Sequence, residues 1–219
     1  MTPGGLPQDV HVHAGDMEVI GKLGKGRYST VSSVMVDAST LGSGKILRGQ
    51  MALKTSWGDF DADIELSAQR WALEQEISIL STMGPHQNVI SAKGRAVSYR
   101  AHREGSVGFH TFGILLEEMA GGCVQSLIEY VLPHDLMPGK LPHGKGFAPY
   151  EVLVIMVQTV AGVWHAHKQG YIHRDLKADN LFLSGHLPRT ASDLLPRLVV
   201  ADWGIALKLL QDVMQVAPT

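Results

Sequence analysis

The sequence predicts an α+β fold in two successive parts, the first mainly stranded and the second mainly helical. Two observations predict it. Five short β-like runs precede residue 119, with one long helical pattern inserted among them. Beyond residue 119 the longest apolar stretch, residues 152–164, has the length and pattern of a core helix.

In chain order, residues 1–16 mix glycine, proline and polar residues and read as a flexible N-terminal tail. Residues 19–23 alternate toward a glycine-rich turn, as a strand does, and residues 30–36 make a second β-like run. Residues 39–49, with three glycines, read as a turn, and residues 50–55 as a third strand. Residues 62–83 carry Ile64, Leu66, Trp71, Leu73, Ile77 and Leu80 at roughly helical spacing, and Gly84-Pro85 closes that helix. Two more strands are expected at 90–98 and 109–118, and a short helix at 124–131. Residues 132–149 hold four prolines and three glycines and read as a long surface loop. Residues 150–168 form the second long helix, with strands expected at 181–183 and 197–201.

The composition narrows the function classes. A 219-residue chain with 45% hydrophobic residues can bury a core, as one domain or two joined lobes. A net charge of −2 gives no global basic field for nucleic acid or an anionic membrane, so neither is expected as a partner. The apolar stretch at 152–164 is interrupted by Gln158, Thr159 and Gly162 and is too short to span a bilayer. The N-terminus lacks a secretory pattern, and the single cysteine, Cys123, cannot form an internal disulfide. An intracellular protein, cytoplasmic or nuclear, is the expectation.

Several short patterns carry chemistry. Gly24, Gly26 and Ser29 form a turn with Val31 just beyond it, and small residues there let backbone N–H groups approach phosphate oxygens. A plain hairpin turn is the alternative. Lys54 ends the apolar run Met51-Ala52-Leu53, where it either snorkels to solvent or meets a carboxylate of the next helix. Glu76 is the first candidate, and Leu80, one turn on, packs inward on the same face. Glu74 is the alternative, on a different face. The paired histidines His165/His167 lie two apart on a helix and so do not share a face for joint metal ligation, and His11/His13 fall in the expected tail.

Residues 173–180, HRDLKADN, followed by Asp202-Trp203-Gly204, resemble the catalytic and metal-binding loops of eukaryotic-type protein kinases. The turn at 24–31 is similar to the family's G-x-G-x-x-G-x-V with Ser29 as the third small residue, and residues 51–54 resemble its V-A-I-K strand. The resemblance implies a bilobal protein-kinase-like fold, with a five-stranded antiparallel N-lobe sheet and one main helix at 17–119. A partial, mainly helical C-lobe follows at 120–219. It implies ATP and Mg²⁺ as cofactors and a protein substrate with a Ser/Thr hydroxyl. The function implied is that of an ATP-dependent serine/threonine kinase.

Residue by residue, the resemblance makes Asp175 the acceptor of the substrate proton and Lys177 the residue that steadies the transferred phosphoryl group. Asn180 and Asp202 become the metal ligands. Lys54 holds the α- and β-phosphates and is positioned by Glu76. Gly24, Gly26, Ser29, Val31, Ala52, Leu116, Glu117, Met119 and Phe182 contact ATP, with Leu116 at the back of the adenine slot and Glu117 and Met119 offering backbone groups. His173 becomes a scaffold residue packed under Trp203. The D-W-G triplet and Ser29 are similar to the casein kinase 2 subgroup.

The chain departs from the family's pattern at its end, where no A-P-E motif follows Gly204. A C-terminally truncated domain is expected, with much of the 150–168 apolar face exposed and weak or no turnover. The alternative function is a nucleotide-binding pseudokinase or regulatory fragment. Two connections, 37–49 and 184–197, are expected to be longer than usual and to lie at surface turns.

Overall fold

A computed structural model describes residues 10–26, 29–39, 46–56, 65–101, 107–134, 149–185 and 196–209. The chain divides into two compact units, one of Met1–Pro85 with Ser91–Glu118, the other of His86–Ile90 with Met119–Thr219.

The first unit is a sheet with one helix. Its strands are β1 (His11–His13), β2 (Met17–Lys25), β3 (Ser29–Ser39), β4 (Ile46–Ser56), β5 (Ala92–Ala101) and β6 (Val107–Glu117), in the spatial order β1-β5-β6-β4-β3-β2. Strands β2 to β6 are the expected antiparallel set. The sixth, β1, corrects the expectation of a flexible tail as far as residues 10–16 are concerned: it pairs parallel with β5 through His11↔Arg95, Val12↔Ala96 and His13↔Val97. The reason is burial. Val10 and Val12 are 2% and 0% exposed, and burying each contributes about 1.5–3 kcal/mol. They join Val34, Val36, Ala38, Met51, Leu53, Ala96 and Leu115 in one apolar cluster. Residues 1–9 lie outside the described residues.

The expected turn at 39–49 is shorter than the pattern suggested. The β3–β4 ladder continues through Ala38↔Leu47 to Ser39↔Ile46, so much of that connection is extended hairpin. The fourth expected strand starts at Ala92 instead of residue 90, because the Ile90 N–H donates to the Val200 carbonyl (3.0 Å).

Helix α1 (Glu65–Met83) buries Leu73, Glu76, Ile77, Leu80 and Met83, an i, i+3, i+4, i+7 face. Trp71 does not belong to that face and is 63% exposed, against the sequence expectation. Ile64 and the side chain of Leu66 lie outside the described residues.

The second unit begins with α2 (Val124–His134) and α3 (Pro149–Lys168), followed by β7 (Tyr171–Ile172), β8 (Leu181–Leu183), β9 (Leu198–Val200) and β10 (Leu207–Lys208). Pairing is antiparallel, β8 with β9 and β7 with β10. The expected loop at 132–149 is trimmed by helix at both ends, and residues 135–148 lie outside the described residues, as do 186–195 of the connection at 184–197. Helix α3 starts with a proline, whose missing N–H is no loss at a first helical position. It stops where Gly170 takes a left-handed φ of +78° and its N–H donates to the His167 carbonyl (2.9 Å).

Two of the three residues that interrupt the apolar run of α3, Gly162 and Gln158, explain how it packs. A Cβ on Gly162 would collide with the Asn88 carbonyl, so glycine allows the close approach. Gln158 Oε1 accepts from the Leu198 N–H (2.8 Å) and from Asn88 Nδ2 (3.0 Å), and Asn88 Nδ2 also donates to the Leu198 carbonyl (2.7 Å). These bonds tie α3 to β9, whose three residues are fully buried. The opposite side of α3 is exposed as expected: Val152, Leu153, Met156, Val157, Val160 and Trp164 each expose 41% or more. No helix among the described residues is long and apolar enough to cross a membrane.

Candidate active site

In the first unit, strand register decides which side chains share a face. Val31 lies opposite Lys54, Ala52 opposite Leu116, and Lys54 opposite Ile114. Cross-strand partners project to the same side, so Val31, Ala52, Lys54 and Leu116 all lie on one face, opposite the face of the Val10/Val12 cluster. Gly24 is paired with Val31 at the end of the β2–β3 hairpin, and the Gly26 N–H donates to the Ser29 carbonyl (2.8 Å). The tip, residues 27–28, lies outside the described residues. Neither Gly24 nor Gly26 has a left-handed φ, and a Cβ on Gly24 would meet nothing within 4 Å. Glycine therefore preserves open space at this position rather than an unusual backbone.

Lys54 Nζ donates to Glu76 Oε2 at 2.7 Å, with side chains 13% and 1% exposed. This decides between the two carboxylates of α1. Glu74, two residues away, turns to another side of the helix and pairs with Arg95 of β5 instead.

The segment after β6 is committed by hydrogen bonds that the sequence did not reveal. The Glu117 N–H donates to the Ser91 carbonyl (2.9 Å), and Glu117 Oε1 accepts from the Ser91 N–H (2.8 Å). Glu118 accepts from the Ser33 hydroxyl (2.6 Å) and from Gln50 Nε2 (2.8 Å). Ser33 and Gln50 carried no signal of their own, because the partner that gives them meaning, Glu118, is distant in the sequence, just beyond β6. Within the second unit, the Met119 carbonyl accepts from the Gly122 N–H (3.2 Å).

The second unit holds two loops side by side. One, residues 173–180, joins β7 to β8, and the other, residues 201–206, joins β9 to β10. Because β7 pairs with β10 and β8 with β9, the loops are fixed together at both ends. Asp175 sits at the centre of the first. Lys177 Nζ donates to Asp175 Oδ2 (2.8 Å), and Asn180 Nδ2 donates to the Asp175 carbonyl (2.8 Å) and to Oδ2 (3.1 Å). The Lys177 hydrogen bond, helped by Asn180, holds the Asp175 carboxyl below the usual carboxylate range, against a smaller opposing effect of burial. Asp175 in turn raises the Lys177 ammonium above its ordinary value.

His173 is the scaffold between the loops. Its Nδ1 accepts from the Asp175 N–H (3.2 Å), so Nε2 carries the proton and donates to the Ala201 carbonyl (2.9 Å). Its ring meets Trp203 edge-on, with centroids 4.5 Å apart. Trp203 is completely buried and donates from Nε1 to the Val200 carbonyl (3.1 Å), which is how a tryptophan fits after Asp202. Arg174 Nε donates to the Ile205 carbonyl (2.6 Å). Arg174 and Asp202 have φ of +68° and +64°, the two left-handed non-glycine residues among those described. Such conformations persist where the surroundings over-determine them, and both lie in these loops.

The donor set fits a divalent cation carried with phosphate. With both its described bonds made by Nδ2, Asn180 offers its carbonyl oxygen. Asp202 is exposed and offers a carboxylate. Among the described residues no group of three His, Cys, Asp or Glu is placed to hold a metal alone. Hard oxygen donors, few from protein and the rest from phosphate and water, are what Mg²⁺ takes. Phe182, between Leu181 and Leu183 on β8, is half-buried and bridges to Cys123 at the start of α2.

Comparison with known proteins agrees with this geometry. The chain is 29% identical over 186 residues to the mitogen-activated protein kinase kinase kinase mkh1 of Cytospora mali, covering 85% of this chain and 8% of that protein. It is 26% identical over 171 residues to the meiosis-specific serine/threonine-protein kinase mek1 of Schizosaccharomyces pombe, covering 76% and 32%. It is 28% identical over 175 residues to MAP3K epsilon protein kinase 1 of Brassica napus, covering 77% and 11%. The chain thus spans a third or less of the length of each of these relatives. The likeness to casein kinase 2 finds no support among them. The family model of the protein kinase domain matches residues 17–217, nearly the whole sequence, and this chain belongs to the protein kinase domain family.

Proposed function

We propose that this chain is an ATP-dependent protein serine/threonine kinase that uses Mg²⁺. The observation that carries the reading is Asp175, ionised and oriented by Lys177 and Asn180 in a loop clamped to that of Asp202. In this reading the substrate hydroxyl attacks the γ-phosphorus of ATP, the new O–P bond forms as the bond to the ADP oxygen breaks, and Asp175 accepts the proton. A carboxylate of lowered pKa is a weak base. That suits a reaction in which positioning and charge neutralisation outweigh proton abstraction.

Lys177 places its ammonium beside Asp175, where it balances negative charge on the transferred phosphoryl group. Lys54, held by Glu76, serves the α- and β-phosphates. Val31, Ala52 and Leu116 supply an apolar surface for the base, with backbone groups of Glu117 and Met119 as its polar partners. Gly24, Gly26 and Ser29 of the first unit, and Phe182 of the second, are the further residues that this reading assigns to ATP. Asn180 and Asp202 would hold Mg²⁺, which would neutralise negative charge on the phosphates. The protein substrate and an intracellular location belong to the same proposal.

The test is transfer of labelled γ-phosphate to a general acceptor protein, with phosphoamino-acid analysis. Phosphoserine or phosphothreonine formed by the wild type, and lost in Asp175→Asn, supports the reading. A second reading, a nucleotide-binding protein without efficient transfer, is favoured by one observation: the exposed apolar side of α3, the helix whose other side packs on β7 and β9, from which the two loops leave. A melting temperature raised by Mg-ATP in the wild type but not in Asp202→Ala, with no transfer, would select it.

A further inference from the structure

Strand β1 precedes the residues matched by the kinase family, yet it is built into the sheet that carries Lys54. The residue that receives it on β5 is Arg95, whose N–H donates to the Val10 carbonyl (2.8 Å). The guanidinium of the same Arg95 pairs with Glu74 of α1. Arg95 lies opposite Ile114, and Ile114 lies opposite Lys54, so Arg95 and Lys54 project from the same face of the sheet.

Helix α1 is therefore held on this face at two points. Glu76 is bound by a lysine on β4 and Glu74 by an arginine on β5. The two carboxylates are two residues apart and point in different directions around the helix. One ion pair leaves a helix free to roll about the contact, whereas two pairs on different sides and to different strands fix its rotation. Arg95 is itself fixed by β1, since Val10 and Val12 are buried in the cluster on the opposite face.

The geometry points to β1 as a positioning element: seated on β5 through Val10, it holds Arg95 so that the Arg95–Glu74 pair sets the rotation of α1 that presents Glu76 to Lys54. Arg95 and Glu74 are then positioning residues, touching neither nucleotide nor acceptor. The idea rests on the proposed role of Lys54, but its structural core does not require turnover.

Gly94 supplies a way to unseat β1 without touching the ion pairs. A Cβ there would lie 2.8 Å from both Val10 Cγ1 and the Val10 carbonyl oxygen. The experiment compares wild type, Gly94→Val, Arg95→Met, Glu74→Gln and the charge swap Arg95→Glu/Glu74→Arg, in the full chain. The main readout is the rate at which an amine-reactive reagent labels Lys54, followed by mass spectrometry, with Lys22 and Lys93 as internal references. Lys54 labelling is expected to rise about threefold in Gly94→Val, Arg95→Met and Glu74→Gln, as loss of an ordinary ion pair produces, and to return toward wild type in the charge swap. The reference lysines should not change. Where phosphotransfer is measurable, kcat should fall about tenfold with a smaller change in KM for ATP.

A Gly94→Val protein that melts as the wild type does and labels Lys54 at the wild-type rate overturns the role of β1. Charge-swap labelling no better than that of the single variants overturns the role of the Arg95–Glu74 pair. Labelling that rises equally at all three lysines signals general loosening and also counts against the proposal. If Lys54 labelling behaves as expected while no variant or wild type transfers phosphate, the kinase reading fails and the positioning inference stands.

Discussion

Lys54 Nζ lies 2.7 Å from Glu76 Oε2, and the Glu76 side chain is 1% exposed. The pair joins the strand that carries the phosphate-binding lysine of the proposed mechanism to the buried face of α1. Removing the lysine takes the cation from a buried carboxylate, a change that destabilises by about 3–5 kcal/mol in buried pairs. Lys54→Met is expected to fall in this range by urea denaturation and to lose the rise in melting temperature on adding Mg-ATP. Lys54→Met/Glu76→Gln should recover much of the stability and none of the nucleotide response. Recovery of the response would remove Lys54 from the nucleotide site.

Asp175 gives a pH prediction. Its carboxyl is held below the ordinary range chiefly by Lys177, so it is ionised throughout the neutral region. Any contribution it makes to stability is present above the unfolded value, near pH 4, and is lost only as pH falls through the lower folded value. Phosphotransfer should show no acid limb from Asp175 between about pH 5 and pH 8. In Lys177→Met the acid limb should move upward, because the largest cause of the lowered value is gone. A pH–rate profile that does not differ between the two proteins would mean that Asp175 is not the titrating group.

A second titration concerns His86 and His165, whose rings stack with centroids 4.6 Å apart. Burial, then His165 and Lys168, lower the His86 pKa. A histidine whose folded value is lowered favours the neutral fold. Its contribution is complete above the unfolded value of about 6.5 and is lost as pH falls from there through the folded value. Thermal melts from about pH 7.5 to pH 5 should show declining stability, and His86→Phe should flatten that slope whatever its absolute stability. An unchanged slope would assign the pH dependence to other groups.

The exposed side of α3 predicts association. Leu153, Val160 and Trp164 each expose more than 60% of their surface, and contiguous apolar patches of this kind drive self-association. Leu153→Gln/Val160→Gln should reduce concentration-dependent light scattering while shifting the melting temperature by no more than about 2 °C, since exposed side chains contribute little to folding. A large loss of stability would mean that these residues are covered.

Much of the candidate site was legible because its determinants are local. Asp175, Lys177 and Asn180 lie within one short loop, and their spacing alone brings them together. The same holds for the small residues of the β2–β3 hairpin, the apolar face of α1, and the glycine and proline signals that end the helices. Periodicity failed at Trp71, which lies two residues from Leu73 and so on the other side of the helix, where apolar type alone does not signal burial. It failed at the N-terminus too, because polar and small residues surround Val10 and Val12 and hide a strand whose partner is more than eighty residues away.

The sequence by itself determined the alternation and helical periods of the elements and the residue types of the two loops, because each is a property of neighbouring residues. Tertiary structure decided what depends on partners distant in the chain. It chose Glu76 over Glu74 for Lys54, since the rotation of α1 on the sheet sets which carboxylate faces β4. It fixed the tautomer of His173 by setting Asp175 on one side of the ring and Ala201 on the other. It made hydrogen-bonded ties of Ser33, Gln50, Asn88 and Gln158, polar residues to which no role had been assigned, because a buried polar group takes its role from the partner that satisfies it.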